Sequence, residues 1–536
     1  MTCSICEAFY SKGGNILHIT IGNLLELTTG NYPNKEAIVE PKKNIRWTYT
    51  EWNEQVNKLA HALQKSGIQK GDHVSTFLFN SSELATTCFA CAKIGAVFNP
   101  INFRLKPQEL SYILEDASPK IVLFEKQLSS QIQSIHKQFP HIQFWYIDQN
   151  HPPFSISYEE KLSNALPDFE TVEVKEDDIC SIMYTSGTTG YPKGVLHRHR
   201  EIIDQSLMGI AYLHYTENSR GLVTAPMFHC AELHCCFVPR VHSGGANIIL
   251  HHFDAKNVLE TIEKEKVTVM FAAPTMWNMM LQEDLMQYDL SSLRYGLYGA
   301  ASMAPALVKA CDEKLNVSLV QAYGMTEMGP AVTFLRENEQ LTKVGSAGKA
   351  AYNHEIRVVR PNEEGPSEPN DILRPYEIGE IIMRGSCLMK GYYNNEEATA
   401  KALYKGWYHS GDLGYVDTDG YLYVADRVDD MVVSGGENIY PREVEDFLYT
   451  HESVLDVAVL GEKDELWGES VLAYIVSKDH SLTEEILDEY CKVSDKLADY
   501  KRPRRYVFVE QLPRNASGKI QKFILRNAET EAKGRI

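Results

Sequence analysis

Residues 185–194 read TSGTTGYPKG, and they directly follow the apolar run 180–184. Three glycines and four serine or threonine residues in ten positions let backbone N–H groups turn toward phosphate oxygens without Cβ clashes. Lys193 adds a positive charge to this stretch. A polar surface turn needs only one or two such residues. The composition therefore predicts a phosphate-binding loop at the end of a β-strand.

The loop differs from the P-loop pattern G-x-x-x-x-G-K-[ST] in the residues around its lysine. Pro192 precedes Lys193, and Gly194 follows it. No helix that begins with a metal-binding hydroxyl is therefore encoded at this point. We expect the loop to hold phosphate through its backbone N–H groups and the lysine instead.

Outward from the loop, residues 47–330 alternate helical and strand patterns. Five apolar residues recur at intervals of three and four and predict the buried face of one helix, with Thr50 as its N-cap: Trp52, Val56, Leu59, Ala60 and Leu63. Short β-rich runs follow at 73–79, 120–125, 143–148, 221–226, 246–251, 267–273 and 318–323. Strands that alternate with helices predict an α/β core of parallel sheets covered on both faces, with ligands beyond the carboxyl ends of the strands.

Past Glu380 the sequence changes to shorter runs separated by Gly and Asp, which predicts turns between antiparallel strands. The charged run 426–430 is interpreted as a linker. It divides the chain into an N-terminal domain, residues 1–428, and a smaller C-terminal domain, residues 429–536. Within the second domain, 455–461 and 471–476 are expected to be strands that flank helical stretches.

Composition excludes several classes of protein. The 536 residues carry a formal net charge of −19, which repels a phosphate backbone and argues against nucleic acid as a partner. No stretch reaches the roughly 18 apolar residues that span a bilayer, and the N-terminus lacks the pattern of a secretory signal. A cytoplasmic protein with no integral membrane span is expected, and a homo-oligomer is left open.

The eleven cysteines are an odd number without regular spacing, so they are expected to be thiols rather than a disulfide framework. Two C-x-x-C pairs occur, Cys3/Cys6 and Cys88/Cys91. Neither has a second Cys or His pair at a spacing that completes a tetrahedral zinc site. A structural zinc ion is therefore not predicted.

Further motifs follow the loop in order, with YGMTE at 323–327, WYHSGD at 407–412 and LPRNASGKI at 512–520. Together with TSGTTGYPKG they resemble the motifs of the adenylate-forming (AMP-binding) acyl-CoA synthetases, the superfamily that also holds firefly luciferase and the adenylation domains of peptide synthetases. The resemblance extends from about residue 25 to 525 and is strongest to fatty-acid–CoA ligases. It implies a large N-terminal domain of stacked βαβ layers plus a distorted β-barrel, with a small, mobile α+β C-terminal domain.

The resemblance implies that ATP is bound by residues from five parts of the sequence. Its residues in the phosphate loop are Thr185, Ser186, Gly187, Thr188, Thr189, Gly190 and Lys193. Those beside the adenine are Gly299, Ala300, Ala301, Tyr323, Gly324, Met325 and Thr326. Asp412 is expected to accept hydrogen bonds from the ribose hydroxyls, since that task needs an ionised acceptor, and Arg427 to reach the ribose and phosphates. Thr185 and Glu327 are the expected Mg²⁺ ligands, because oxygen ligands beside phosphates suit this ion.

The remaining implied roles concern catalysis and CoA. Lys519 is expected to bridge the substrate carboxylate and the α-phosphate in the transition state, with Glu327 and His229 as its catalytic partners. His229 lies in MFHCAE, 227–232, which resembles a segment that guards the acyl pocket, although Glu232 stands where a glycine is common. Ser434, Gly435 and Gly436 are expected to line the CoA channel, and Asp429 to act as a hinge.

The basic residues Lys501, Arg502, Arg504 and Arg505 could contact CoA phosphates, but a solvated basic face is favoured.

The predicted function is that of an acid–thiol ligase, which forms acyl-CoA, AMP and pyrophosphate from a carboxylic acid, ATP and CoA through an acyl-adenylate. The favoured acid is a medium- or long-chain fatty acid. A benzoate-like aryl acid remains an alternative, as does an acid-adenylating enzyme with an acceptor other than CoA. A nucleotide-binding regulator without catalysis is disfavoured by the intact set of Glu327, Asp412 and Lys519.

Overall fold

The structure is a computed structural model of the chain, and it describes residues 19–185, 192–299, 303–362, 365–427, 430–434, 437–464, 467–479, 481–494, 497–514 and 520–533. Some of the predictions above concern residues outside these ranges: Cys3, Cys6, Ser186, Gly187, Thr188, Thr189, Gly190, Ala300, Ala301, Asp429, Gly435, Gly436 and Lys519.

Strands in the described ranges, numbered in chain order, are β1 Glu36–Glu40, β2 Ile45–Thr48, β3 His73–Phe77, β4 Val97–Pro100, β5 Ile121–Phe124, β6 Gln143–Tyr146, β7 Ile156–Ser157, β8 Ile179–Thr185, β9 Lys193–Arg198, β10 Arg220–Val223, β11 Ala246–Ile249, β12 Val269–Phe271, β13 Tyr295–Tyr298, β14 Ser318–Gly324, β15 Ala331–Leu335, β16 Lys349–Ala350, β17 His354–Val359, β18 Gly379–Gly385, β19 Gly391–Tyr392, β20 Leu403–Tyr404, β21 Trp407–Val416, β22 Leu422–Arg427, β23 Val432–Ser434, β24 Glu437–Ile439, β25 Val454–Asp464, β26 Gly468–Ser477 and β27 Arg505–Phe508.

The α-helices, numbered in the same way, are α1 Ile21–Asn31, α2 Tyr49–Lys65, α3 Ser82–Ile94, α4 Pro107–Ala117, α5 Ser129–Ile135, α6 Tyr158–Ser163, α7 His199–Leu213, α8 Cys230–Glu232, α9 Val238–His242, α10 Ala255–Glu265, α11 Pro274–Leu281, α12 Pro305–Leu315, α13 Glu396–Ala402, α14 Pro441–Leu448, α15 Glu484–Lys492 and α16 Lys522–Lys533. None of the described helices combines the length and the apolar character that a bilayer crossing requires.

Two large sheets form the α/β core. One has the strand order β19-β9-β8-β4-β3-β5-β6-β7, and the other β16-β15-β14-β13-β12-β10-β11-β1-β2. Their central strands run parallel. Antiparallel strands complete both edges of the second sheet and the β19 edge of the first, whereas β7 at the other edge is parallel to β6. Each β-rich run predicted between residues 73 and 323 is a strand in these sheets. The predicted α/β class is confirmed.

Helices packed against the two sheets create the main apolar core. Trp52 is central, with its ring centroid 5.0 Å from that of Phe89 and 6.2 Å from that of Phe237. Val56 and Leu59 share the buried face of α2 with Trp52, as the three-and-four spacing predicts. Each such side chain contributes about 1.5–3 kcal/mol by leaving water.

The start of α2 corrects one prediction. The helix begins at Tyr49, and its N-cap is Thr48 rather than Thr50. The Thr48 hydroxyl accepts from the Glu51 N–H, while the Glu51 carboxylate accepts from the Thr48 N–H at 2.8 Å. This reciprocal capping box satisfies two otherwise unpaired donors. Thr50 lies inside the helix, where its hydroxyl donates to Pro33 O.

The C-terminal part of the chain contains two antiparallel units. In the first, β17, β18, β21, β20 and β22 form the sheet that corresponds to the predicted distorted barrel. In the second, β24, β23, β26 and β25 form a sheet to which β27 adds in parallel. Strands β25 and β26 pair directly with each other, and α14 precedes and α15 follows them.

The linker prediction needs an adjustment at its start. Strand β22 runs to Arg427 and pairs Asp412 with Arg427. The first two residues of the charged run 426–430 therefore belong to the antiparallel sheet rather than to a linker. The division of the chain at residue 429 stays a prediction.

Candidate functional site

The phosphate loop is predicted between two paired strands. Strand β8 ends at Thr185, and β9 begins at Lys193 directly opposite it. Strand β8 lies beside β4 in the parallel part of its sheet. The expectation that the apolar run 180–184 is a strand is confirmed. The ends of the predicted loop thus lie side by side at the carboxyl end of a parallel strand, where α/β proteins bind ligands.

Tyr323 and Asp412 come together from different sheets. Tyr323 is the penultimate residue of β14, and its hydroxyl donates to the Asp412 carboxylate on β21 at 2.7 Å. The Asp412 N–H donates to the Ser410 hydroxyl, which donates to Ile381 O. Asp412 is buried, so these contacts hold its carboxylate in one orientation. An ionised oxygen pair fixed in this way can receive two hydroxyl donors.

Two predicted site glycines lie where backbones approach too closely for a side chain. A Cβ atom on Gly324 would stand 1.9 Å from Pro330 O, and one on Gly299 would stand 2.7 Å from Ala322 O. Any other residue would push these segments apart. Gly299 thus lets the segment after β13 lie against Ala322 of β14, and Gly324 lets the end of β14 lie against Pro330, just before β15.

Glu327 lies in the short turn Thr326–Met328 that follows β14. Its carboxylate accepts a hydrogen bond from the Tyr392 hydroxyl at 2.8 Å, and its carbonyl oxygen accepts from the Met389 N–H. The ammonium of Lys193 lies over the ring of Tyr392, 4.7 Å from its centre. The structure therefore brings Glu327 and Lys193 to the same tyrosine.

The same turn is tied to the predicted acyl segment. The Nε2–H of His197 on β9 donates to Thr326 O at 2.6 Å. The Cys230 thiol lies 3.2 Å from the Thr326 hydroxyl. Thr326 thus links the strand after the phosphate loop to the segment that follows His229.

His229 caps the short helix α8. Its Nδ1 accepts from the Ala231 N–H at 3.3 Å. Burial of the ring lowers the pKa of His229 to about 4. The imidazole is therefore neutral near pH 7, with its proton on Nε2. A neutral ring in this segment can guard an apolar pocket without the cost of a buried charge.

Glu232, the departure from the common glycine, forms an ion pair inside the protein. The Arg240 guanidinium donates to its carboxylate at 2.8 Å and to Asn247 Oδ1 at 2.7 Å, and all three side chains are fully buried. Burial raises the pKa of Glu232 to about 7 despite the attraction of Arg240. A Cβ on Gly221 would lie 2.1 Å from Arg240, so only glycine leaves room for the guanidinium.

A π-helical turn, Leu233–Phe237, explains how Glu232 and Arg240 meet. Residues eight apart on a regular α-helix are offset by about 80° around its axis. The π-turn holds one extra residue, so eight residues span two turns and both side chains share a face. Pro239 favours the wider turn because it has no N–H to donate to Cys235 O. Val238 instead donates to Leu233 O, five residues back.

Ser434, the predicted CoA residue that the structure describes, lies in the C-terminal sheet. Ser434 ends β23 and stands opposite Glu437 and Gly468. Arg427, the predicted contact to the ribose and phosphates of ATP, ends β22 with its backbone. Its side chain lies outside the described atoms. The structure shows no contact within the described residues that joins Ser434 to Glu327 or Asp412. The CoA assignment stays a prediction.

The basic residues near position 500 all have acidic partners. Lys501 pairs with Glu443, and Arg504 with Asp499. The remaining pairs join Arg502 to Asp488 and Arg505 to Glu462. Both interpretations of these basic residues, a solvated basic face and a contact with CoA phosphates, stay predictions.

No group of three or more His, Cys, Asp or Glu side chains able to hold a metal ion occurs in the described part of the chain. Its cysteines are free, buried thiols, including Cys88 and Cys91 on α3. Mg²⁺ needs no such group when a substrate supplies phosphate oxygens, because one or two carboxylates then suffice. The buried carboxylate of Glu327 has this chemistry, and the half-buried Thr185 hydroxyl adds an oxygen at the end of β8.

Sequence reasoning missed three residues of this site: Tyr392, His197 and Cys230. Tyr392 follows Gly391 in GYYNN, 391–395, a run that contains no charged group. Its partners lie 65 and 199 residues away, so only the folded chain shows the contact. Cys230 directly follows His229, which is the one signal that could have drawn attention to it.

Two family descriptions match successive parts of the chain. The family described as AMP-binding enzyme matches residues 25–393, and the family described as AMP-binding enzyme C-terminal domain matches residues 443–519. The long-chain-fatty-acid–CoA ligase FadD13 of Mycobacterium tuberculosis is 36% identical over 514 residues, which cover 94% of this chain and 98% of the relative.

Two solved structures are similar along nearly the whole chain. The anthranilate CoA ligase AuaEII in complex with anthranoyl-AMP has a TM-score of 0.87 and 30% identity, covering 96% of this chain and 98% of that chain. The o-succinylbenzoate CoA synthetase of Bacillus subtilis in complex with ATP and magnesium has a TM-score of 0.81 and 31% identity, covering 94% and 99%.

Proposed function

This chain belongs to the AMP-binding enzyme family, as an AMP-forming acyl-CoA ligase of the acid–thiol class, and we propose that its acid is a medium- or long-chain fatty acid. The proposed reaction converts the acid and ATP to an acyl-adenylate and pyrophosphate. The thiol of CoA then attacks the acyl carbonyl and releases AMP.

One observation carries the choice of acid. An apolar cluster lies between α7 and strands β12 to β15, beside the segment that follows His229. Its members from that segment are Ala231, Cys235 and Cys236, and those from the strands include Phe271, Leu297 and Val320. These apolar side chains beside the His229 segment match the chemistry of an alkyl chain, which gains about 0.8 kcal/mol for each CH₂ that leaves water. This apolar character supports a long aliphatic acid.

The adenylate half-reaction is proposed to use the residues that the fold gathers around β14. Asp412, oriented by Tyr323, would accept the ribose hydroxyls. Lys193 and the loop 186–191 would hold the β- and γ-phosphates. Lys519 would offset the negative charge that builds as the carboxylate attacks the α-phosphate. These roles are supported by the resemblance of the motifs and by the grouping of Lys193, Glu327, Tyr323 and Asp412.

Mg²⁺ fits the oxygen groups of this site. Glu327 would hold the ion together with the phosphates, and Thr185 is the second proposed ligand. When bound, the ion would neutralise charge on the phosphate oxygens. Glu327 is buried and hydrogen-bonded to Tyr392, so its carboxylate would bind with little loss of side-chain freedom. The related synthetase with ATP and magnesium supports this assignment.

The thiolation half-reaction is proposed to need a different arrangement of the C-terminal domain. Rotation about Asp429 would withdraw Lys519 and present Ser434, Gly435 and Gly436 to CoA. His229, neutral near pH 7, would line the path of the thiol. One site would then serve two reactions in turn.

The test is a panel of carboxylic acids, from acetate through long-chain fatty acids to benzoates, scored by AMP release with CoA and Mg·ATP. The matched control is Glu327→Gln, which removes the proposed metal ligand. We expect the highest kcat/KM with acids of eight or more carbons. Equal AMP release without CoA would contradict the thiol acceptor, and a maximum at acetate would contradict the fatty-acid assignment.

An aryl acid is the second candidate. The similarity to the anthranilate ligase favours it, and so do the rings of Tyr212, Phe271 and Phe334 in the apolar cluster. Flat rings gain additional energy from offset or edge contacts with such side chains. A panel in which benzoates exceed every aliphatic acid would replace the fatty acid by this class.

A further inference from the structure

Tyr392 connects two parts of the proposed ATP site that lie far apart in sequence. It belongs to the two-residue strand β19, whose Tyr392 stands opposite Val195 of β9. The ring is buried, and the Tyr392 N–H donates to the Thr399 hydroxyl at 2.9 Å. The backbone of Tyr392 is therefore fixed on both sides, which sets the direction of its side chain.

The hydroxyl of Tyr392 forms a hydrogen bond with Glu327. It donates to one carboxylate oxygen at 2.8 Å, and Tyr408 on β21 interacts with both Tyr392 and Glu327. A hydrogen bond to one oxygen restricts rotation of the carboxylate and leaves the other oxygen available to a cation. A carboxylate that is oriented in advance binds a cation at a lower entropic cost.

The ring of Tyr392 contacts the ammonium of Lys193. The ammonium lies 4.7 Å from the ring centre, within the range of a cation–π contact. An aromatic face attracts an ammonium without neutralising its charge, whereas a carboxylate partner would neutralise it. The contact thus holds Lys193 at the start of β9 while its full charge stays available to phosphate.

We propose that Tyr392 is a positioning residue for Mg·ATP, whose hydroxyl orients Glu327 and whose ring places Lys193. This inference rests on the proposed function, because it takes Glu327 as the metal carboxylate and Lys193 as the phosphate cation. In this proposal one side chain sets the positions of both the metal ligand and the phosphate-binding lysine. The two contacts come from different atoms of the side chain, so they can be removed separately.

The experiment measures binding of a non-hydrolysable ATP analogue, α,β-methylene-ATP, by calorimetry over a series of free Mg²⁺ concentrations. The variant Tyr392→Phe keeps the ring and removes the hydroxyl, and Tyr392→Leu removes both. The matched control is Tyr393→Phe, since the ring of Tyr393 lies against His73 instead. Thermal unfolding of each variant accompanies the titrations.

For Tyr392→Phe we expect about a tenfold higher Mg²⁺ concentration at half-saturation, with analogue affinity at saturating Mg²⁺ within about twofold of wild type. Tyr392→Leu is expected to weaken both quantities, and Tyr393→Phe neither. The inference is overturned if Tyr392→Phe binds Mg²⁺ and analogue as wild type does, or if it weakens both equally.

Other outcomes also decide the matter. If Tyr392→Leu does not fold, the nearly isosteric Tyr392→Phe alone decides, because it preserves the ring packing. If the wild-type protein binds no Mg·analogue, the proposed function itself fails, and with it the basis of the inference. Normal wild-type binding with an unchanged Tyr392→Phe rejects only the role of Tyr392.

Discussion

The Arg240 guanidinium donates to the Glu232 carboxylate at 2.8 Å although both side chains are fully buried and eight residues apart. Two charges out of water gain stability from each other only while both are present. The π-turn between them is what brings them together. Glu232 is the last residue of the segment 227–232 that contains His229, so the integrity of this pair bears on the proposed acid site.

Arg240→Met is expected to lower the free energy of unfolding by about 3–5 kcal/mol at pH 8, because it leaves a buried carboxylate without its partner. Urea denaturation measures this cost. The control is the double variant Glu232→Leu with Arg240→Met, which removes both charges and is expected to recover most of the loss. A double variant as unstable as the single one would contradict the argument.

Glu232→Gln is expected to change how stability depends on pH. Because the pKa of Glu232 is raised in the folded state, the folded chain binds this proton more tightly than the unfolded chain does. The contribution of the proton to the free energy of unfolding is therefore fully present below pH 4.5 and is lost as pH rises through about 7. The glutamine side chain of the variant cannot ionise. Between pH 5 and 8 the wild type should therefore lose about 2–3 kcal/mol relative to the variant, measured by urea denaturation. Parallel pH curves would show that the carboxylate does not titrate in this range.

Tyr323→Phe is expected to raise the KM for ATP by about tenfold, because Asp412 loses a donor that orients its carboxylate. The comparison uses ATP and 2′-deoxy-ATP with both Tyr323→Phe and Asp412→Asn. Wild type should discriminate between the two nucleotides, and Asp412→Asn should do so much less. Equal discrimination by Asp412→Asn and wild type would remove the ribose role from this aspartate.

Lys519→Ala is expected to reduce acid-dependent ATP–pyrophosphate exchange by at least about 100-fold, since one charge contact to the transition state is lost. Thiolation of a supplied acyl-adenylate should stay within a few-fold of wild type. Lys522→Ala, which changes a nearby lysine paired with Glu445, is the matched control. An equal loss in both half-reactions would reject the assignment of Lys519 to adenylation.

Periodic and local features of the fold were predictable from the sequence. The apolar spacing of Trp52, Val56 and Leu59 identified a buried helix face, and the β-rich runs identified strands, because both follow from repeating backbone geometry. The helix start was misplaced by two residues, since Thr48 and Thr50 are chemically the same. Only the position of Glu51, three residues after Thr48, distinguishes the true cap.

Contacts between distant segments were beyond sequence reasoning. Nothing local to Glu232 indicates a partner at Arg240, because a regular helix would turn the two side chains apart. The π-turn is a property of the packed chain, in which Pro239 lies against Gly209 of α7. Asp426 and Arg427 suggested a linker by their charge, but edge pairing with β21 makes them part of a strand.

The pairing of β19 with β9 also has a consequence for synthesis. Gly391 and Tyr392 stand opposite Leu196 and Val195, about 200 residues earlier in the chain. At about 5–20 residues per second, a ribosome needs some 10–40 s to make the intervening chain. Throughout that interval β9 is an unpaired edge strand of the nascent sheet, and such edge strands pair with strands of other chains. A chain shortened before residue 391 should therefore aggregate even though every other strand of that sheet has already been translated.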